Sequence, residues 1–122
     1  MKVKIIHGYG NHLIVDGYSN AKIGSLKFIK DFLINLVEKI KMKPISKPLV
    51  LYHKADDDLE SGVTGVIILV ESSITIHAYP NKNLFFLDIL SCKEFDMDST
   101  LNFLIDELKI DNYKKKILRR GL

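Results

Sequence analysis

The most restrictive feature of this sequence is a run of strand-like segments that follow one another closely in its second half. Residues 64–70, 74–79 and 84–92 are rich in β-branched and aromatic side chains, and only short polar breaks separate them. Connections this short join antiparallel strands, because a parallel pair needs a crossover of about a dozen residues or more. The sequence therefore predicts an antiparallel sheet built around residues 64–92.

The remainder of the chain supplies further strands and two helices. Ser25 is a suitable N-cap for a first helix, which Pro44 and Pro48 are expected to end, and Asp98 or Ser99 can cap a second. The apolar residues at helical spacing are Leu26, Ile29, Leu33, Leu36, Val37 and Ile40, then Leu101, Leu104, Ile105 and Leu108. The other predicted strands are residues 3–6, 12–18, 49–53 and 113–119. This order predicts an α+β two-layer sandwich, an antiparallel sheet with two helices packed on one face.

The size and composition of the chain indicate a single domain over residues 1–122. Of these residues 47% are hydrophobic and the net charge is only +3, which excludes a disordered chain. The longest apolar stretch, Gly65–Val70, is far shorter than the roughly 18 residues that cross a bilayer, and the N-terminus lacks a signal-peptide core. We therefore expect a cytoplasmic protein without a membrane partner.

Cysteine and histidine usage argues against a metal site. Cys92 is the only cysteine, which excludes an internal disulfide and a zinc site built on paired thiolates. The histidines, at positions 7, 12, 53 and 77, are far apart and show no metal-binding spacing. We expect no metal.

Basic residues are concentrated near the C-terminus, at Lys114, Lys115, Lys116, Arg119 and Arg120. Such a run could contact nucleic acid. It also suits an exposed edge strand, whose lysines discourage aggregation. No nucleic-acid-binding module accompanies the run, so the edge strand is favoured and no nucleic-acid partner is expected.

The break at Glu71-Ser72-Ser73 is unusual because a tight hairpin ordinarily carries Gly, Asn or Asp. A hydroxyl is thereby held at a tight position between two strong strands. Thr64, His77 and Cys92 lie on neighbouring predicted strands, and they could converge on Ser72 to supply a nucleophile with proton-transfer groups. A lone strand histidine or a lone cysteine is nevertheless more often structural.

Three stretches together resemble the prokaryotic-type S-adenosylmethionine decarboxylases, a family of pyruvoyl-dependent enzymes. GVTGVIILVESSITIHAYP (residues 62–80) is similar to the family's G-V-S-G-V and E-S-H-L-T-I-H-T-W-P-E pattern, and LDILSC (87–92) is similar to its D-x-x-x-C strand. GNHLIVDGY (10–18) is similar to its G-x-H-L opening, and the terminal LRRG (118–121) also fits. The resemblance covers nearly the whole chain.

The resemblance implies a proenzyme that cuts itself between Glu71 and Ser72. The Ser72 hydroxyl would attack the carbonyl of Glu71, the resulting ester would eliminate, and hydrolysis of the dehydroalanine so formed would leave a pyruvoyl group. The products would be a β chain, residues 1–71, and an α chain, residues 72–122, capped by a pyruvoyl group formed from Ser72. The family pattern assigns helper roles in this processing to the Thr64 hydroxyl and the His77 imidazole.

The resemblance also implies the reaction. The pyruvoyl ketone would form a Schiff base with the substrate amine and act as electron sink for decarboxylation, with no metal or dissociable cofactor. Cys92 corresponds to the family's proton donor. The implied substrate is S-adenosylmethionine, used in spermidine and other polyamine biosynthesis, and the implied assembly is a homodimer with pockets near the subunit boundary.

Some positions depart from the family pattern and leave alternatives open. Ser73 replaces His, Tyr79 replaces Trp, and Asn81 replaces a substrate-binding Glu. An acidic loop with Asp56, Asp57, Asp58 and Glu60 stands where the family has an aromatic that stacks on adenine. That loop is a solvated surface or a partner for a basic substrate such as arginine. A non-cleaving member with a binding or regulatory role is the other alternative.

Overall fold

The computed structural model describes residues 9–121, so the strand predicted at 3–6 lies outside the described residues. The elements are β1 (Tyr9–Ser19), α1 (Leu26–Lys39), β2 (Leu49–His53), β3 (Gly62–Leu69), β4 (Ser72–Tyr79), β5 (Leu84–Ser91), α2 (Met97–Leu108) and β6 (Ile110–Gly121). Short 3₁₀ turns at Asp58–Glu60 and Pro80–Lys82 precede β3 and β5.

The six strands form one antiparallel sheet in the order β2-β3-β4-β5-β1-β6. The central run of β3, β4 and β5 is a meander of neighbouring strands, as the short breaks predict. Strand β1 lies on the far side of β5, and β6 pairs with β1 at the edge. The fold class and the basic edge strand predicted from the sequence are confirmed.

The hydrophobic core lies between one face of the sheet and the two helices. Alternate strand residues point into it and are almost completely buried, because side chains of a strand alternate between its faces. They include Leu13, Val15, Val63, Ile67, Leu69, Ile74, Ile76, Phe85, Leu87 and Ile89, which pack with Ile29, Phe32, Leu33, Leu36, Leu104 and Leu108 of the helices. In the part of the chain that the structure describes, no helix lies on the other face of the sheet, and we call that face the open face.

A glycine brings α1 close to the sheet. A Cβ at Gly65 would lie 2.8 Å from Cγ2 of Ile29 and 3.0 Å from Cδ1 of Leu33. Contacts below 3.0 Å do not occur between real side chains of this kind, so the helix could not pack this closely on β3 if residue 65 had a side chain.

Three local predictions need correction. Helix α2 is capped by Asp96, whose side chain accepts a hydrogen bond from Ser99 N–H, and Asp98 and Ser99 lie inside the helix. Helix α1 keeps the predicted Ser25 cap but ends at Lys39, before both prolines, and Leu26 is 45% exposed outside the core. The turn between the central strands is residues 70–71, so Ser72 and Ser73 belong to β4.

Candidate active site

The hairpin between β3 and β4 has a two-residue turn. Leu69 is the register partner of Ser72, which leaves only Val70 and Glu71 in the turn. Glu71 has φ of 56°, the left-handed conformation that glycine adopts readily and that costs an ordinary residue about 1–2 kcal/mol. The peptide bond that joins Glu71 to Ser72 therefore directly follows a strained residue.

Ser72 is the first residue of β4 and is half-buried. Its register partner on β5 is Ser91, and its Oγ accepts a hydrogen bond from the backbone N–H of Cys92 at 3.3 Å. Cys92 follows the last residue of β5, and its thiol is half-buried and unbridged. The structure therefore brings two of the predicted site residues, Ser72 and Cys92, together.

Thr64 and His77 form a second pair. They are register partners on β3 and β4, and Thr64 Oγ1 lies 3.0 Å from His77 Nδ1, at hydrogen-bond distance. Both are half-buried on the open face. The hydroxyl and the imidazole are thus held within hydrogen-bond distance of each other.

The two pairs do not meet within one chain. Five residues of strand separate Ser72 from His77, which corresponds to roughly 17 Å. The alternation of β4 also sets Ser72 on the side of the buried Ile74 and Ile76, whereas His77 is on the open face. Within one chain, the described conformation therefore does not bring Thr64 and His77 to Ser72.

A further pair on the open face was not predicted. His12 Nε2 lies 2.8 Å from Asp88 Oδ1, while His12 Nδ1 is buried and has no hydrogen-bond partner among residues 9–121. The sequence did carry a signal for this pair, because Asp88 is a carboxylate in the alternating series Phe86, Leu90 and Cys92. A charged residue in such a series requires a partner when it is partly buried.

The acidic loop is anchored to the turn after β4. Asn81 Nδ2 donates to the carbonyl oxygen of Asp58 at 2.9 Å, and Lys82 Nζ lies 2.9 Å from Glu60 Oε1. Lys82 Nζ also lies 4.9 Å from the ring centroid of Tyr79. The Asp57 carboxylate accepts from Leu59 N–H at 2.9 Å. Two of the four acidic side chains thus already have partners in the protein.

Within residues 9–121, no three His, Cys, Asp or Glu side chains cluster closely enough to hold a metal ion. In the same part of the chain, neither helix has the length and apolar character needed to cross a membrane.

Comparison with known proteins assigns the chain to a family. The family model described as S-adenosylmethionine decarboxylase matches residues 11–121, which include every site residue described above. The chain belongs to the S-adenosylmethionine decarboxylase family. The resemblance inferred from the motifs is therefore confirmed.

Relatives named S-adenosylmethionine decarboxylase proenzyme match along almost their whole length. The Archaeoglobus fulgidus protein is 23% identical, with 92% of this chain and 97% of the relative aligned. The Bacillus velezensis protein is 27% identical over 93% of this chain and 86% of the relative. The Caldicellulosiruptor saccharolyticus protein is 29% identical over 96% of this chain and 92% of the relative.

The fold of the family is also shared. The crystal structure of the adenosylmethionine decarboxylase from Aquifex aeolicus superposes with a TM-score of 0.73 at 25% identity, covering 98% of this chain and 93% of that one. The antiparallel sheet with helices on one face is therefore the family architecture.

Proposed function

We propose that this protein is a pyruvoyl-dependent S-adenosylmethionine decarboxylase that is made as a proenzyme and cuts itself between Glu71 and Ser72. The observation that carries the proposal is the left-handed Glu71 immediately before Ser72 in a two-residue hairpin. A turn of this kind has no need of a strained glutamate for folding, because glycine or asparagine would fit better. Strained backbone residues cluster at sites of chemistry, and here one directly precedes the bond that is proposed to be cut.

The residues around Ser72 suit the formation of a pyruvoyl group. Ser72 supplies the hydroxyl, and its half-buried position limits competing water. When formed, the group supplies a ketone that takes the substrate amine and accepts the electrons released by decarboxylation. Cys92 is the proposed source of the proton that completes turnover, because its backbone N–H contacts Ser72 Oγ and the residue is half-buried and carries a free thiol.

The Thr64–His77 pair is proposed to serve cleavage from a second copy of the chain. Cleavage requires a base to remove the Cα proton of Ser72, yet His77 is roughly 17 Å along the strand in its own chain. A symmetric dimer brings residue i of one copy to residue j of the other, twice. Ser72 begins β4 at the end of the sheet, and the open face, on which Leu49, Leu51 and Ile68 are 56%, 59% and 51% exposed, is an apolar surface that a second copy can cover.

Complementation between two inactive chains tests the shared site. We expect a His77→Ala chain to stay whole when made alone, and to be cut when it is co-expressed with a Ser72→Ala chain that supplies an intact imidazole. If the His77→Ala chain is equally resistant in both cases while both proteins fold, the base acts within one chain and the shared site is wrong.

The proposed substrate is S-adenosylmethionine, the substrate named for the aligned relatives. Because Glu60 and Asp57 already have partners, the acidic loop offers a basic substrate fewer carboxylates than its sequence suggests. The loop therefore gives no reason to prefer a basic amino acid over S-adenosylmethionine as the substrate.

The proposal is tested by mass spectrometry and by release of labelled carbon dioxide. Denatured protein should show two fragments divided after residue 71, the second bearing a pyruvoyl group, whereas Ser72→Ala should show one chain. Cleaved protein should release label from carboxyl-labelled S-adenosylmethionine and not from arginine, ornithine or lysine. A wild-type chain that stays whole, or label released from arginine alone, contradicts the proposal.

A further inference from the structure

Ser91 is a completely buried polar residue at the end of β5, directly opposite Ser72 in the sheet. We propose that Ser91 is a positioning residue for self-cleavage: it holds the backbone N–H of Cys92 against the Ser72 oxygen, where that N–H stabilises the oxygen as it leaves. This inference rests on the proposed function, because it concerns the same cleavage.

The hydrogen bonds of Ser91 fix the backbone around Cys92. Ser91 Oγ donates to the carbonyl oxygen of Lys93 at 2.8 Å and accepts from the N–H of Lys93 at 2.9 Å. Both bonds bridge over Cys92, so they close a tight turn in which its peptide group has little freedom. The N–H of Cys92 is thereby directed at Ser72 Oγ, 3.3 Å away.

Cleavage changes the charge on that oxygen in two steps. In the first, Ser72 Oγ bonds to the carbonyl carbon of Glu71, the peptide C–N bond breaks, and the hydroxyl proton passes to the Ser72 nitrogen, giving an ester. In the second, a base removes the Cα proton of Ser72, the electron pair forms a Cα=Cβ double bond, and the Cβ–Oγ bond breaks. The oxygen keeps that bonding pair and becomes part of the Glu71 carboxylate.

A hydrogen-bond donor aids only the second of these steps. In the ester the oxygen is a weak acceptor, whereas in the departing carboxylate it carries negative charge, and hydrogen bonds to charged oxygens are shorter and about twice as strong. The present 3.3 Å is slightly longer than the usual N–H···O range of about 2.7–3.2 Å, so the bond can shorten as charge develops. The Cys92 N–H is thus placed to favour the leaving oxygen, as donors to developing charge do in other active sites.

The test compares cleavage in Ser91→Ala with a matched control. Ser19 is a buried serine at the other end of the sheet, and its Oγ likewise donates to a backbone carbonyl, that of Leu108, and accepts from the N–H two residues on, that of Ala21. Ser19→Ala should therefore remove the same kind of interaction without touching Ser72. We expect Ser91→Ala to slow cleavage roughly ten- to a hundredfold, and Ser19→Ala to leave the rate unchanged.

A chemical probe identifies the step that slows. Hydroxylamine cleaves esters, so it should split the ester that accumulates in Ser91→Ala and leave an α chain that begins with serine instead of a pyruvoyl group. Threonine and valine have nearly the same shape, and only threonine has a hydroxyl. Comparison of Ser91→Thr with Ser91→Val therefore distinguishes an effect of the hydroxyl from an effect of side-chain volume. Thr should retain fast cleavage and Val should accumulate ester, even if the cavity in Ser91→Ala prevents folding.

Three results would overturn the inference. The first is a cleavage rate equal to that of the wild type in Ser91→Ala or Ser91→Val. The second is slowed cleavage in which hydroxylamine releases no α chain that begins with serine. The third is a stably folded Ser91→Thr protein that is cleaved as slowly as Ser91→Val. The wild-type chain is measured alongside. If it fails to cleave, the proposed function itself is refuted, whereas a cleaving wild type with unaffected variants refutes only the role of Ser91.

Discussion

At the scale of single residues, the left-handed conformation of Glu71 allows a test of whether backbone strain promotes self-cleavage. Glu71→Gly should relieve the cost of the left-handed conformation, so we expect about 1 kcal/mol of added stability in the uncleaved protein and slower self-cleavage. Stability is measured by urea unfolding in a Ser72→Ala background, in which neither protein is cut.

Lys109, with φ of 47° at the junction of α2 and β6, provides the control. Lys109→Gly should stabilise similarly and leave the cleavage rate unchanged. Equal cleavage rates for wild type and Glu71→Gly would contradict a role for strain.

The thiol of Cys92 is the second residue-scale test. Cys92→Ser retains the backbone N–H that contacts Ser72, so we expect the chain to be cut normally. Turnover should fall by about a hundredfold or more, because loss of a positioned proton donor typically costs that much. Release of labelled carbon dioxide is measured only on protein shown by mass spectrometry to be fully cleaved. Unchanged turnover in that protein would remove the thiol from the mechanism.

At the scale of elements, the approach of α1 to β3 depends on Gly65. Gly65→Ala adds a methyl group 2.8 Å from Cγ2 of Ile29, and we expect it to cost about 1–3 kcal/mol of stability. Ile29→Leu removes the branch that the methyl would strike. The two substitutions together should therefore destabilise by clearly less than the sum of their separate effects in urea unfolding. Strict additivity would show that the close contact does not limit the packing.

The elements also show how far the sequence could be interpreted. The meander of strands followed from short breaks and alternation, which are local properties. The α2 cap was misassigned because Asp96, Asp98 and Ser99 are all good capping residues, and only tertiary packing, which buries Thr100, selects among them. The four candidate site residues were identified from the sequence, but their division into two separate pairs was not predicted. With residues 71–73 treated as a break, Ser72 had no assigned face, whereas β4 in fact begins at Ser72 and sets it opposite to His77.

At the scale of the whole molecule, the open face offers a test of the dimer. Leu51 is 59% exposed on that face, opposite Thr64 in the register. Leu51→Lys should yield monomers by sedimentation and an uncut chain, because a charge would be buried at the interface. Ile117, 46% exposed and paired with the inward-facing Leu13, is on the other side of the sheet. Ile117→Lys should remain dimeric and cleave. A dimeric, cleaving Leu51→Lys protein would exclude this face as the interface.

The strand order has a consequence for what a cut at residue 71 leaves behind. The first piece would own β1, β2 and β3, and the second β4, β5 and β6, yet β1 is inserted between β5 and β6. Three antiparallel strand pairings would join the two pieces: β3 with β4, β5 with β1, and β1 with β6. Neither piece could keep a complete sheet or core of its own. The cleaved protein would therefore migrate as a single species under native conditions. The two pieces would dissociate only when the sheet unfolds.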